Sequence, residues 1–206
     1  MKKTAADIVY SKVRQKIIVG DYSQEMFLVE RDIAKEFNVS RAPVRDALQR
    51  LVQEGYLISF PRKGHVVNRI SGETLLHIQQ LRFHMESMAL ALAIKNATED
   101  DLKELEKLMG TTEETDPHHT ANTRFHTALA KISGNDILAE AVYHYSGHAS
   151  LAVFQNRSLI ETRADYHEDI IKALREKDLE KAQMFLAKDM QLKDVSSTGY
   201  VLPFKV

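Results

Sequence analysis

Three arginines mark one side of a short segment near the start of the chain, from Asn38 to Gly55. Apolar side chains recur at helical spacing on the other side, at Val44, Leu48, Leu51 and Val52. The basic side carries Arg41, Arg45 and Arg50. Guanidinium groups bind phosphates and guanine edges. A helix that packs against the protein along its apolar side and exposes guanidinium groups on the other side suits entry into a DNA major groove with its N-terminal end first.

The ends of this helix are marked by residue types with known preferences. Ser40 is a strong N-cap type, and Pro43 falls in the first turn, where its missing N–H costs nothing. Gly55 supplies the C-terminal stop. The pattern therefore predicts a helix over residues 41–54.

The elements before this helix complete a DNA-binding motif. Apolar residues at helical spacing predict a helix over 5–18, which Gly20 ends. Residues 29–37 predict a second, shorter helix, and Asn38-Val39 forms the turn that leads into the arginine helix. Two short helices joined by a tight turn are typical of a helix-turn-helix.

A two-stranded hairpin is predicted directly after the arginine helix. Residues 56–60 and 65–67 are rich in strand formers, and Pro61 to Gly64 form the turn between them. Such a hairpin is marginally stable alone and needs the helices behind it. It would form a wing with a basic, glycine-tipped loop.

The rest of the chain shows helical patterns and no convincing strand. Helices are predicted over 73–95, from Thr98 onward, and over 120–132, 135–154, 158–176 and 178–194. Asn135 and Asp178 are plausible helix starts. The predicted fold is mainly α, with a winged helix-turn-helix at 1–70, an all-α bundle of about six helices at 71–195 and a tail at 196–206.

Composition excludes several classes of protein. No cysteine is present, which excludes disulfides, thiolate zinc sites and cysteine nucleophiles. Residues 1–70 carry a net charge of +5 and the remainder −6, which favours a nucleic-acid module joined to another domain. No apolar run approaches the roughly 20 residues of a membrane span, and no signal peptide is expected. We therefore predict a cytoplasmic protein with no membrane partner.

The order of these elements resembles the GntR family of bacterial regulators. The motifs VSRAPVRDALQRL and EGYLISFPRKGHVV carry that likeness, and LRFHMESMALALA with NTRFHTALAKISGN resembles the FadR-type FCD ligand-binding domain. The family usually has Pro-Gly before the second helix, where this chain has Ser23-Gln24. The resemblance implies a homodimer that binds double-stranded DNA at a palindromic operator. It places DNA contacts on Arg31, Ser40, Arg41, Arg45 and Gly64, and we expect Arg62, Lys63 and His65 of the wing to lie beside a groove.

The same resemblance implies a divalent metal site in the bundle. Many FCD domains bind metal through an Asp-x3-His pair and two later histidines. The matching positions here are Asn122, His126, His167 and Asp189. Two imidazoles with one carboxylate suit Zn, Mn, Ni or Fe. The alternative is that the metal is lost and both histidines are buried polar groups.

The effector cavity is predicted from a third set of residues. Arg82 and Glu86 lie four apart on an otherwise apolar helix, and the resemblance places Arg82 where it can clamp a carboxylate. The alternative is an intrahelical salt bridge. His148 is assigned to the same cavity, although a solvated pair with His144 is an alternative. The implied effector is a small organic or sugar acid.

Three functions are weighed on these features. The first is a ligand-responsive DNA-binding regulator, most simply a repressor, with no catalytic residues. The second is an enzyme with a mononuclear metal centre, because two histidines and a carboxylate resemble a facial triad in composition. The third is an architectural DNA-binding protein whose bundle is purely structural.

Overall fold

The computed structural model describes residues 3–109, 118–156 and 165–192. These residues form two compact units that are not contiguous in the sequence. The first unit comprises residues 3–75, 118–123 and 144–156. The second comprises residues 76–109, 124–143 and 165–192. The predicted fold class is confirmed, with a winged helix-turn-helix followed by helices.

The winged helix-turn-helix begins with three helices. They are α1 (Ala5–Val19), α2 (Glu30–Glu36) and α3 (Arg41–Gln53). Helix α1 starts with a capping box, in which Thr4 Oγ1 accepts from the Asp7 N–H at 3.1 Å and Asp7 accepts in return from the Thr4 N–H at 3.0 Å. Gly20 ends α1 in the left-handed region with φ 85°, as its position predicts.

The wing is an antiparallel pair of strands, β1 (Leu57–Phe60) and β2 (Gly64–Val67). Its register pairs Leu57 with Val67 and Phe60 with Gly64. Gly64 opens β2 instead of standing at the tip, which corrects the predicted loop. Its φ is 115°, and a Cβ there would lie 2.6 Å from the Leu28 carbonyl oxygen. The close approach of Leu28 therefore requires glycine at this position. Leu28 forms an isolated antiparallel β-bridge with the next residue, His65.

Six further helices follow among the described residues. They are α4 (Gly72–Asn96), α5 (Glu99–Met109), α6 (His118–Ile132), α7 (Asp136–Gln155), α8 (His167–Arg175) and α9 (Leu179–Asp189). Asn135 and Asp178 do cap α7 and α9, because their side chains accept from the Leu138 and Lys181 N–H groups at 3.1 and 3.0 Å.

Two of the predicted helices were too long. The helix predicted over 158–176 begins only at His167 in the described residues, with Asp165 and Tyr166 outside it. The helix predicted to end at 194 ends at Asp189, followed by a turn with Gln191 at φ 57°. Residues 157–164, the tail at 196–206 and most of the polar loop predicted at 110–119 lie outside the described residues.

The core of the first unit joins α1 and α3. Val13 and Ile17 of α1 are fully buried, as are the predicted apolar residues Val44, Leu48 and Leu51 of α3. Burying side chains of this size contributes about 1.5–3 kcal/mol each. This core holds one side of α3, so that its other side is left to solvent.

The second half of α7 is part of the first unit, which sequence patterning did not reveal. Its amide side chains hydrogen-bond to backbone N–H and C=O groups in the segment that connects the wing to α4. Gln155 accepts from the Ile70 N–H at 2.9 Å and donates to the Asn68 carbonyl at 2.8 Å. Asn156 donates to the Ile70 carbonyl at 2.9 Å. Residues 144–156 are thus joined to the winged helix by specific hydrogen bonds.

Gly147 is a position where α7 approaches the winged helix closely. The Arg14 guanidinium donates to the Tyr56 hydroxyl at 2.8 Å. A Cβ on Gly147 would lie 1.9 Å from Arg14 Nη2 and 2.2 Å from the Tyr56 hydroxyl oxygen. Tyr56 is fully buried and Arg14 is nearly so, and neither side chain has solvent to retreat into.

We expect Gly147→Ala to destabilise the protein, although alanine favours a helix over glycine by about 1 kcal/mol. Overpacking costs about 1–3 kcal/mol, and loss of the Arg14 hydrogen bond costs about 1.5–3 kcal/mol more. The net loss of about 1.5–5 kcal/mol should lower the thermal unfolding midpoint by about 2–4 °C for each kcal/mol. Gly72→Ala is the control, because a Cβ there meets nothing within 4 Å. Equal midpoints for the two variants would contradict the expectation.

The second unit has its own apolar core. Phe83 and Leu90 of α4 pack with Leu105 of α5, and α6, α8 and α9 close the cluster. The members contributed by those three helices include Phe125, Leu129, Ile170, Leu174 and Leu186. This packing brings the facing sides of α4, α6, α8 and α9 together, and the polar groups described next lie among them.

Candidate nucleic-acid interface and candidate metal centre

Two of the three predicted arginines lie together on the exposed side of α3. Arg45 Nε lies 2.9 Å from Glu30 Oε1, and Arg41 Nη2 lies 3.3 Å from Glu30 Oε2. The Arg41 and Arg45 side chains are 63% and 54% exposed. Hydrogen bonding from Arg45 lowers the pKa of Glu30, so that its carboxylate is charged at neutral pH. Glu30 of α2 thus holds both guanidinium groups above the N-terminal half of α3.

Arg50 has a different environment from the other two. Its Nη1 lies 2.9 Å from Asp7 Oδ1, and its guanidinium lies 4.1 Å from the centre of the Tyr10 ring. Cation–π and ion-pair contacts of this kind hold the side chain against α1. The sequence grouped Arg50 with Arg41 and Arg45, but the structure assigns it to packing.

Ser40 occupies the N-cap of α3 by its backbone, with φ −72° and ψ 165°. Its side chain makes no capping hydrogen bond, which corrects the predicted cap. The free backbone N–H groups of the first turn can donate hydrogen bonds to an anion such as a phosphate. Arg31 lies on α2 with its side chain 79% exposed and 3.2 Å from Asp32.

The wing presents its basic residues at the turn. Arg62 and Lys63 are exposed, and Arg62 adopts the left-handed region with φ 66°. His65 lies behind them on β2 and is half-buried. Burial lowers the pKa of His65, so that it adds no charge to this surface at neutral pH.

A buried cluster in the second unit brings together three of the four predicted metal ligands. His126 lies on α6, His167 begins α8 and Asp189 ends α9. His126 Nε2 lies 3.2 Å from Asp189 Oδ2, and His167 Nε2 lies 3.7 Å from Asp189 Oδ1. All three side chains are nearly or fully buried. Asn122, the fourth predicted ligand, lies one turn before His126 on the same helix and is half-buried.

A second layer of polar groups lies behind the two imidazoles. His126 Nδ1 lies 2.5 Å from Glu86 Oε2, and His167 Nδ1 lies 3.0 Å from Asp165 Oδ1. Burial lowers the pKa of His126, but the nearby carboxylates outweigh it and raise the pKa overall. The His167 ring stacks on Phe125 with 3.8 Å between centroids. Sequence reasoning missed Asp165 because it precedes α8 in an irregular stretch.

Arg82 and Glu86 form the salt bridge that the sequence offered as the alternative. Arg82 Nη2 lies 2.8 Å from Glu86 Oε1, and both side chains are 0% exposed. Arg82 also donates to Gln79 at 2.9 Å. Burial raises the pKa of Glu86, but Arg82 and His126 offset this and lower the pKa below its usual value. Arg82 therefore neutralises Glu86, and the predicted carboxylate clamp is replaced by an internal pair.

His148 lies in the first unit, against the winged helix. Its ring centre is 4.2 Å from that of Tyr56, and its Nδ1 lies 3.1 Å from the His144 carbonyl oxygen. Burial lowers the pKa of His148 to about 4, so that it is neutral at physiological pH. The predicted pair with His144 is present, with 4.5 Å between the ring centres, but both rings are half-buried instead of solvated. His148 packs against Tyr56, while the cluster around His126 belongs to the second unit.

The donor set of the buried cluster fits a first-row divalent ion. Two imidazole nitrogens and a carboxylate oxygen suit Zn, Mn, Ni or Fe. Their ligand atoms all lie within 4.8 Å of one another. Atoms that bind one such ion at about 2.0–2.2 Å lie roughly 3–3.6 Å apart. The separation of His126 Nε2 from Asp189 already falls in that range, and that of His167 is close to it.

The fold and these sites define a class of protein: a winged-helix DNA-binding module joined to a helical domain with a buried polar centre. The model of the FCD domain matches residues 77–191, and that of the bacterial regulatory proteins of the gntR family matches residues 5–67. The chain therefore belongs to the GntR family, in the group that carries an FCD domain.

Relatives of known sequence and structure agree with this assignment. The HTH-type transcriptional regulator McbR of Escherichia coli (strain K12) is 29% identical over 195 residues, which cover 89% of this chain and 88% of McbR. The solved structure of E. coli McbR/YncC has a TM-score of 0.79 and 25% identity, over 92% of this chain and 95% of that one.

A second relative is the HTH-type transcriptional regulator YdhC of Bacillus subtilis (strain 168), described as uncharacterized. It is 27% identical over 184 residues, which cover 84% of this chain and 82% of YdhC. These relatives are transcriptional regulators, and the chain is a regulator and not an enzyme. None of the helices that the structure describes is both long and apolar enough to cross a membrane.

Proposed function

We propose that this protein is a homodimeric repressor that binds a palindromic operator and responds to a small organic acid at a metal centre. The observation that carries the proposal is the exposed pair of Arg41 and Arg45 on the helix of a helix-turn-helix. Repression is the simplest action, because a protein that occupies promoter DNA excludes other proteins from that DNA by its volume alone.

The proposed DNA contacts divide into reading and positioning groups. Arg45 reads a guanine through its O6 and N7 atoms. Arg31, Arg41 and the first turn of α3 with Ser40 hold phosphates, which fix the register of the helix on the duplex. The wing contributes Arg62 and Lys63 to the neighbouring backbone, with Gly64 and His65 placing the strand behind them.

The proposed metal is held by His126, His167 and Asp189, with Asn122 as a neutral oxygen ligand or a partner for bound water. Bound there, a divalent ion supplies positive charge and open coordination positions. Arg82 is occupied by Glu86, so the carboxylate of the effector is recognised at the ion and not by this arginine.

The proposed homodimer is supported by an apolar stripe on α4. One side of α4 is buried in its own unit, yet a second apolar stripe recurs on the other side, at Ile78, Leu81, Met88 and Leu92. Leu81 and Met88 are each 42% exposed. This stripe carries no Asp, Glu, Lys or Arg, and a two-fold axis pairs the same surface of both copies without bringing like charges together.

We expect the double substitution Leu81→Glu with Met88→Glu to separate the dimer. Four buried carboxylates would face one another across the two-fold axis, at a high desolvation cost. Sedimentation velocity should show a monomer, and operator affinity should fall because one half-site is lost. Met184→Glu is the control, since Met184 of α9 is 45% exposed. A double variant that remains dimeric would remove this interface from the proposal.

One titration tests the function as a whole. Purified protein is mixed with a fluorescent duplex from the promoter region of its own gene, with zinc or with a chelator, and a panel of organic and sugar acids is added. We expect specific binding at moderate salt, and release by one class of acid only when zinc is present. Specific binding that no acid or metal alters would favour the architectural alternative. Binding without sequence preference would overturn the regulator itself.

A further inference from the structure

We propose that Glu86 and Asp165 are positioning residues that fix the tautomers of His126 and His167, so that a metal ion bound beside Asp189 meets the Nε2 atom of each ring. The inference rests on the proposed metal centre and deepens it. The observation is a repeated arrangement: each imidazole has a carboxylate at Nδ1 and shares Asp189 at Nε2. No sequence motif joins these groups.

The dyad of Glu86 and His126 is fully buried. One carboxylate oxygen of Glu86 lies 2.5 Å from His126 Nδ1, and the other accepts from Arg82 Nε at 3.0 Å. The carboxylate is charged, so it can only accept, and His126 Nδ1 must carry the proton. In the neutral imidazole Nε2 then holds the lone pair, which is the form that binds a metal ion.

Arg82 explains how a charged Glu86 is retained in the core. An ionised carboxylate buried without a partner costs several kcal/mol. The guanidinium lies 2.8 Å from Glu86 and is itself held by Gln79 at 2.9 Å. Replacing this pair by apolar residues would often cost nothing, so its presence beside His126 points to a role in holding the ring.

The dyad of Asp165 and His167 is built differently. Asp165 Oδ1 lies 3.0 Å from His167 Nδ1 and also accepts from the His167 backbone N–H at 2.9 Å. The Asp165 side chain is 63% exposed, so water weakens its effect. The Phe125 ring lies nearly parallel to the His167 ring, with 19° between their planes, and limits its rotation. We therefore expect Glu86 to contribute more than Asp165.

The experiment measures Zn²⁺ affinity by competition with a chromophoric chelator. Removing a second-layer carboxylate typically weakens metal binding about 10–100-fold. We expect that range for Glu86→Gln and a loss of only a few-fold for Asp165→Asn. Glu73→Gln and Glu168→Gln, which remove exposed acids from α4 and α8, should bind zinc like the wild type.

Glu86→Gln leaves Arg82 without its buried partner and could weaken zinc binding by disturbing the fold. Two further measurements therefore separate a folding defect from the loss of the positioning role. The double variant Arg82→Gln with Glu86→Gln removes both charges and should show the same loss of zinc affinity. In the zinc-bound wild type, nitrogen NMR of the imidazoles should find the proton of His126 on Nδ1 and the metal on Nε2.

The outcomes separate the two proposals. Wild-type protein that does not bind Zn²⁺ or the other candidate ions overturns the metal centre and this inference with it. Tight wild-type binding that Glu86→Gln and the double variant leave unchanged overturns the positioning role alone. Zinc-bound protein with the His126 proton on Nε2 would do the same.

Discussion

Arg45→Ala should lower affinity for the operator by about 5- to 150-fold, the range that one bidentate guanine contact of about 1–3 kcal/mol supplies. The guanidinium must first leave Glu30. That pair is exposed at Arg45, and pairs of this kind are worth about 0.2–1 kcal/mol. The guanine contact therefore outweighs the ion pair that it replaces. Fluorescence anisotropy with operator and scrambled duplexes measures the affinity of each protein for both, and the ratio of the two affinities measures its selectivity.

Arg50→Ala is the matched control for Arg45→Ala, because both arginines lie on α3. Arg50 is engaged by Asp7 and Tyr10, so its loss should lower stability slightly and leave selectivity unchanged. Arg41→Ala should weaken operator and scrambled duplexes alike and reduce the salt dependence by about one phosphate contact. An Arg45→Ala protein that still discriminates fully between the duplexes would refute the reading role.

Asp189→Asn should abolish the stabilisation of the protein by metal. Asparagine keeps the shape but removes the negative charge shared by His126 and His167. An ion at 100 times its Kd stabilises the folded state by about 2.7 kcal/mol. We therefore expect zinc to raise the thermal midpoint of the wild type by several degrees and to leave the Asp189→Asn midpoint nearly unchanged.

Glu180→Gln on the same helix is the control for Asp189→Asn, because Glu180 is exposed. Metal content of the purified proteins and the midpoint with and without zinc are the measurements. Operator affinity without effector should survive in Asp189→Asn, while its response to organic acids should be lost. A variant that retains both zinc stabilisation and the acid response would place the metal elsewhere.

Local patterns predicted the winged helix well. The apolar spacing of Val44, Leu48 and Leu51 was enough to orient α3, because a 3.6-residue period leaves one side for the core. Gly20 and Gly55 ended their helices as expected, since each needs a positive φ. The caps at Asn135 and Asp178 were also predicted, because capping depends only on residues three positions apart.

Residue type alone did not decide the roles of three other residues. Ser40 has the right residue type for a cap, yet its hydroxyl does not cap. Arg82 was expected to clamp a ligand, but it forms a buried ion pair with Glu86 one turn along the same helix and donates a hydrogen bond to Gln79. Gly64 was assigned to the DNA surface, which stays a prediction, and the close approach of the Leu28 carbonyl is a second reason for glycine there.

The sequence alone determined that α3 would show arginines to solvent, and its resemblance to FCD domains made His126, His167 and Asp189 candidates for one ion. Periodicity and residue type act over a few positions, so a reader of the chain can follow them. Only the tertiary structure decided which arginines we assign to the DNA surface, because Glu30 of α2 pairs with Arg45 whereas Asp7 of α1 pairs with Arg50. It also decided that carboxylates stand behind both imidazoles, since burial and hydrogen-bond direction depend on packing between helices distant in the chain.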